Sequence, residues 1–266
     1  MSEAEPQRHS ELFVYRRLTD VQRAQFENDG YLVVGETLTV AGLETLRSEC
    51  MAAWNASKEG FHPDRTWLQN SLLANVHHHS EVARRFYFEG PLVDIAEQLI
   101  GPNIKAATSQ LTFKLRGNTM EFGWHQDNGY GELEPYNAIS TLTAFDDADE
   151  ENGCLRVVPG SHQREQLAVE HSIADKKAGV AIELKVDNSE VLPVPMRAGQ
   201  SLLLNCWTLH RSEGNLSKER DRRVLFMRYA DADAVEVYNG RRPRLGRLLR
   251  GETKFPEVEA FEADLG

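Results

Sequence analysis

Between residues 104 and 230 the chain is written in a period of two. Alternating, β-branched segments at 104–115, 138–145, 154–158, 179–185, 191–196, 200–207 and 222–230 are separated by turn signals such as Asn152-Gly153, Pro159-Gly160 and Ala198-Gly199. No helical pattern interrupts them, and many short strands without crossover helices predict an antiparallel barrel or jelly roll. The earlier part of the chain reads differently. Thr19 is placed to cap a helix carrying Val21 and Phe26, which Asn28-Asp29-Gly30 stops. Residues 31–34 read as a short strand, 39–54 as a helix with Leu43, Leu46 and Met51 near a 3.6-residue period, and 55–70 as loop. Residues 82–100 read as one or two helices, interrupted at Gly90-Pro91 and ended at Gly101-Pro102. The expectation is a flexible segment over 1–17 and one domain over 18–266. Within it, a helical layer mainly at 18–102 packs on a β core mainly at 103–230, followed by a tail over 231–266.

Charge and cysteine content narrow the function. The 266 residues carry 30 Lys and Arg against 41 Asp and Glu, a net charge of −11, which disfavours general nucleic-acid binding. No apolar run approaches the roughly 20 residues needed to cross a bilayer. The start of the chain, MSEAEPQRHSE, lacks a secretory apolar core, and Cys50, Cys154 and Cys206 form no CxxC. A cytoplasmic protein with reduced thiols is expected. Arg241, Arg242, Arg244, Arg247 and Arg250 precede Glu252, Glu257, Glu259, Glu262 and Asp264. They read as a solvated helix face whose arginines pair with nearby acids. The consecutive His77, His78 and His79 are expected in a loop before the 82–100 helices, lining the pocket mouth rather than binding a second metal. The acidic run from Asp146 to Glu151 reads as a hairpin tip.

The segment Trp124-His125-Gln126-Asp127 carries chemistry. On a strand, residues i and i+2 share a face, so His125 and Asp127 can present an imidazole and a carboxylate to one ion. His210, after the apolar strand 201–207, is the candidate third ligand. Two histidines and a carboxylate on one face leave positions open on an octahedral metal, the facial triad of non-haem Fe(II) oxygenases. Arg222 opens the strand beyond His210, where an arginine can clamp a dicarboxylate through a bidentate fork.

These segments resemble the phytanoyl-CoA dioxygenase family of Fe(II)/2-oxoglutarate-dependent oxygenases. The resemblance is carried by Phe26-Glu27-Asn28-Asp29-Gly30-Tyr31, WHQD at 124–127, Asn152-Gly153-Cys154-Leu155 with VVPGSH at 157–162, and His210-x-Ser212-x-x-Asn215-x-Ser217 with RRVLFMRY at 222–229. It implies a mainly β fold, a double-stranded β-helix (jelly-roll or cupin-like) core with N-terminal helices packed on it. It implies His125, Asp127 and His210 as iron ligands, Arg222 as the 2-oxoglutarate arginine, Ser212 as its helper, and Lys114 as a contact for 2-oxoglutarate or substrate. The loop after His210 is one residue longer than the family's pattern, which keeps Arg223 and Arg228 as alternatives to Arg222. The implied reaction uses Fe(II), 2-oxoglutarate and O2 and releases succinate and CO2. Halogenating relatives replace the carboxylate that Asp127 retains, so hydroxylation is expected, with desaturation and ring chemistry open to the same triad. Gln110, Trp124, Asn128, Tyr130 and Tyr136 are candidates for contacting a small polar or amphipathic substrate. The expected partner is that small molecule, with no nucleic acid and no membrane, in a monomer or homodimer. The competing reading is a cupin-like, non-oxygenase metal-binding isomerase or ligand-binding barrel.

Overall fold

The computed structural model describes residues 10–58, 64, 70–127, 133–164 and 186–265. The expected strand at 179–185, the substrate candidates Asn128 and Tyr130, and residues 1–9 lie outside them. Helix α1 (Asp20–Asp29) starts at Thr19, whose side chain accepts from the backbone of Gln22 while Gln22 returns a bond to the cap, a reciprocal capping box. It ends at Gly30, in the left-handed region at φ 78°. Strand β1 (Tyr31–Glu36) and helix α2 (Val40–Lys58) follow, then β2 (Leu72–Ala74). Helices α3 (Glu81–Glu89) and α4 (Pro91–Ile100) divide at Gly90, as expected, because Pro91 is tolerated only in a first turn.

The β core is antiparallel throughout the described pairings and forms two facing sheets. The larger has the order β1, β9 (Gln200–Asn205), β6 (Ala138–Ala144), β11 (Arg222–Asp231), β3 (Ile104–Lys114) and β14 (Leu248–Arg250), with β2 also on β3. The smaller runs β4 (Phe122–His125), β10 (His210–Ser212), β7 (Leu155–Val157) and β8 (Leu192–Val194). A third, peripheral sheet joins β13 (Arg242–Pro243), β12 (Val235–Glu236) and β5 (Leu133–Glu134).

Alternation on the larger sheet builds two cores. Leu225, Met227 and Tyr229 of β11 pack with Phe86, Leu92 and Ile95 of the helices. Val224 and Phe226, one residue out of phase, pack between the sheets with Leu142, Leu202 and Leu204 and with Leu155, Val157 and Val194 of the smaller sheet. This is the jelly-roll core with a helical layer expected from the sequence.

The helical layer also presses on the loop before β10. Gly30 O accepts from Thr208 Oγ1 at 2.8 Å and from Asn205 N at 2.8 Å. A Cβ on Gly30 would lie 2.4 Å from both Thr208 Oγ1 and His162 Nδ1, so only glycine fits this seam.

Two expectations are corrected. The packed chain begins by Ser10 rather than at 18: Phe13 is 2% exposed, bridges Leu38 and meets Phe86, and Val14 N donates to Thr37 O. One buried ring in a polar segment is enough to dock it. The tail arginines do meet acids, but from strands and turns rather than a helix face: Arg241 pairs with Glu134 at 2.6 Å, Arg244 with Glu236 at 2.7 Å, and Arg250 with Asp94 at 3.5 Å. The acidic run is held by arginines, with Asp146 on Arg223 and Asp149 on Arg220.

Phe13→Ala should cost about 3–5 kcal/mol in urea unfolding, the usual loss for an aromatic truncated in a core. A loss under about 1 kcal/mol would show that residues 10–17 do not dock on the helical layer.

Candidate metal centre

The triad is assembled by one antiparallel register. His125, the last residue of β4, lies opposite His210, the first of β10, and their ring centroids are 4.2 Å apart. Asp127 stands past the end of β4 rather than on it. Gln126, fully buried, donates from Nε2 to Trp207 O at 2.7 Å, which fixes the turn that brings Asp127 round. Asp127 Oδ1 lies 3.8 Å from His125 Nε2 and 3.7 Å from His210 Nε2, too long for hydrogen bonds, and the three ligand atoms fall within 4.8 Å of one another.

The outer partners prepare each ligand. His125 Nδ1 donates to Gly123 O at 2.8 Å, and His210 Nδ1 donates to Thr208 O at 2.9 Å. A carbonyl only accepts, so each Nδ1 carries a proton, and the nitrogen each ring offers to a metal is Nε2. Burial, reinforced by His125, lowers the His210 pKa to about 4, so it is neutral at ordinary pH. Ser140 Oγ donates to Asp127 Oδ2 at 2.5 Å and leaves Oδ1 for the ion. Burial pushes the Asp127 carboxyl up, but the nearness of His210, Arg228 and His125 and the Ser140 bond outweigh it and hold it at about 2. Two Nε2 lone pairs and a carboxylate oxygen suit a divalent metal such as Fe(II).

Beyond Ser212, two positions along β10, lies a cationic cluster. Lys114 Nζ donates to Ser212 O at 2.8 Å, to Ser212 Oγ at 2.9 Å and to Glu213 O. Arg222 is the register partner of Lys114 and is 4% exposed. Its Nε is buried without a hydrogen-bond partner, and it makes no ion pair among the described residues. Burial lowers its pKa to about 10, which still leaves a guanidinium. Arg223, on the opposite face, is committed to Asp146 through Nε at 2.7 Å and Nη2 at 2.6 Å. Arg228 shares the face of Arg222 but sits at the triad, with Nη2 3.0 Å from Asp127 O and 3.5 Å from Asp127 Oδ1.

The substrate candidates separate. Gln110 lies opposite Phe226, in phase with Lys114 on β3, and is half-buried. Trp124 is turned away from His125, under the Arg211 guanidinium at 5.1 Å, because adjacent strand residues point to opposite faces. Tyr136 is 45% exposed and packs edge-on against Trp207 at 5.1 Å. His77 and His78 form a short 3₁₀ turn and converge on Glu262 at 3.3 and 2.7 Å, with His77 Nδ1 2.6 Å from Ser109 Oγ. They tie the tail to the helical layer, with both ring nitrogens of His77 engaged. Sequence reasoning passed over Ser140 and Gln126; Ser140 carries a signal, a polar side chain on the wholly buried strand β6, whereas Gln126 lies past the end of β4 and carries none.

Ser140→Ala should weaken Fe(II) or Co(II) binding about 10-fold or more, as loss of an outer partner commonly does. Metal titration of the folded variant checks this; unchanged affinity would show that the hydroxyl does not orient Asp127.

The sequence profile of the phytanoyl-CoA dioxygenase family matches residues 26–224. A methylphosphonate hydroxylase of Gimesia maris is 29% identical over 237 residues, covering 83% of this chain and 85% of that protein. An ectoine dioxygenase of Sphingopyxis alaskensis is 25% identical over 277 residues, covering 95% and 86%. Among solved structures, a non-haem α-ketoglutarate-dependent carbocyclase from nogalamycin biosynthesis superposes with a TM-score of 0.68 at 22% identity, covering 88% and 94%, a likeness of fold.

Proposed function

Given that the chain belongs to the phytanoyl-CoA dioxygenase family, and so works with Fe(II), 2-oxoglutarate and O2, we propose that it hydroxylates an unactivated C–H bond of a small polar or amphipathic molecule. In this reading His125, Asp127 and His210 hold the iron and Arg222 holds the far carboxylate of 2-oxoglutarate. The observation that carries it is the buried Arg222 guanidinium, which has no carboxylate partner among the described residues. A buried cation without a counter-charge is costly, and an anionic cosubstrate removes that cost. When bound, iron and 2-oxoglutarate supply the oxidising chemistry: R–H, O2 and 2-oxoglutarate become R–OH, succinate and CO2.

The remaining work falls to the chain. Three ligands on one face leave the other face to cosubstrate and O2. Arg222 offers a planar fork to a carboxylate, and Ser212 Oγ with Lys114 Nζ completes the cradle on that side. The apolar wall between the sheets, with Val224 and Leu155, keeps water from it. The methylphosphonate hydroxylase and ectoine dioxygenase relatives are named for compact polar molecules, which supports a substrate of that class. Three buried cysteines, none in a disulfide, fit a reducing cytoplasmic setting, and no described helix is long and apolar enough to cross a membrane.

Anaerobic addition of Fe(II) and 2-oxoglutarate should give a visible charge-transfer band. Arg222→Ala should weaken 2-oxoglutarate binding at least about 10-fold, the usual loss for a charged hydrogen-bonded pair, while metal binding persists. A screen of small polar compounds scored by succinate release then finds the substrate; intact metal loading with neither band nor succinate would sink the reading. Burial, with Arg222 beside it, lowers Lys114 to about 7. A carboxylate favours the ammonium form, so 2-oxoglutarate affinity should fall as pH rises from about 7 to 9, with proton uptake on binding. Calorimetry in buffers of different ionisation enthalpy should detect that uptake in the wild type and lose it in Lys114→Met.

A further inference from the structure

We propose that Arg228 is a second anion clamp, for the substrate, so that the molecule oxidised carries a carboxylate or phosphonate. This rests on the dioxygenase reading above and specifies its substrate class. Arg222 and Arg228 lie six residues apart on the same face of β11. At a strand rise of roughly 3.3 Å per residue, their Cα atoms are about 20 Å apart. A five-carbon dicarboxylate held by Arg222 does not reach across the triad to both, so the two guanidiniums serve different ligands.

Position assigns the second one. Arg222 is registered with Lys114, whose amine reaches Ser212, two residues along β10 from His210. Arg228 is registered with Thr108 on one side and Ser140 on the other, and Ser140 holds Asp127. The triad therefore stands between them, with the cosubstrate cradle at one end of β11 and Arg228 at the other. Arg228 is only partly committed to the protein. Nη2 donates to Asp127 O at 3.0 Å and Nε reaches Ser140 Oγ at 3.5 Å, the limit for a hydrogen bond. Among the described residues Nη1 donates to nothing, and the side chain keeps 16% of its surface exposed. A guanidinium has five donors in a fixed fork, and these contacts leave an edge free for an oxyanion.

Charge points the same way. The inward face of β3 and β11 presents Lys114, Arg222 and Arg228, and Asp127 is the carboxylate placed among them. A divalent metal adds two positive charges, and 2-oxoglutarate removes two. Asp127, which would ligate the metal through the same Oδ1, only partly neutralises Arg228, and an anionic substrate would supply the rest. Arg228 Nη2 is 3.5 Å from the Asp127 oxygen that faces both histidines. An anion on this arginine thus sits beside the metal, and the carbon oxidised adjoins the anionic group instead of ending a long chain.

The test uses the anaerobic Fe(II)–2-oxoglutarate complex and follows its charge-transfer band on adding methylphosphonate, propionate or uncharged propionamide. Methylphosphonate or propionate should perturb the band saturably and propionamide should not; which anion binds distinguishes a phosphonate from a carboxylate substrate. Arg228→Gln should weaken that anion at least about 10-fold, the scale of one charge-assisted bond, with 2-oxoglutarate affinity unchanged, and Arg228→Lys should restore part of the loss. The proposal is overturned if neither anion binds, if propionamide binds equally, or if Arg228→Gln leaves the anion affinity intact. It is also overturned if both variants lose metal or 2-oxoglutarate binding, which would make Arg228 a positioning residue for Asp127. A wild type that forms no band fails earlier, at the dioxygenase reading, and takes the clamp with it.

Discussion

The site depends on a strand that has no freedom to slip. β11 is laddered along its length to β3 on one side and, through most of it, to β6 on the other. Its pleat sends Leu225, Met227 and Tyr229 to the helices and Arg222, Val224, Phe226 and Arg228 inward. A slip of one residue would exchange the two sets, placing Arg223 inside and turning core residues toward the triad. The apolar face therefore sets the position of the charged one. Burying an unpaired Arg222 is unfavourable by itself, and the packing behind it holds the guanidinium in place until a ligand arrives.

Much of this was legible in the sequence because β alternation is a local signal, and long strands such as β3, β6 and β11 repeat it often enough to be read. The pairing of His125 with Asp127 was also legible, although the reason differs. Same-face parity on one strand predicted it, whereas Asp127 is placed by a turn pinned through Gln126 to Trp207. The three-residue β10 is too short for alternation to show, so the strand status of His210 emerges only from its two partners. Trp124 looked like a pocket residue by proximity in sequence, and the pleat put it on the other side. Phe13 has no periodic company, and only long-range contact reveals that it is core.

The acidic composition and the cationic interior are two parts of one arrangement. Many of the outer arginines are matched by acids: Arg220 by Asp149 and Glu151, Arg223 by Asp146, and Arg156 by Glu150 and Glu213. Such exposed pairs add little stability, but each neutralises its arginine locally. At the register of Lys114 and Arg222 a guanidinium is instead buried with no carboxylate partner among the described residues. In a chain of net charge −11, that buried guanidinium is a local point of attraction for an anion.

The Gly30 seam joins the helical layer to the triad. Its carbonyl holds Thr208 and Asn205, and the carbonyl of Thr208 holds the His210 ring. Anything that fixes His210, a bound ion above all, also selects the conformation in which α1 is seated. Metal loading and seating of the helical layer are then linked equilibria, each favouring the other by mass action. Without the ion, the seating of α1 would lose that support. Iron supply would thereby govern the lifetime of the folded chain as well as its turnover.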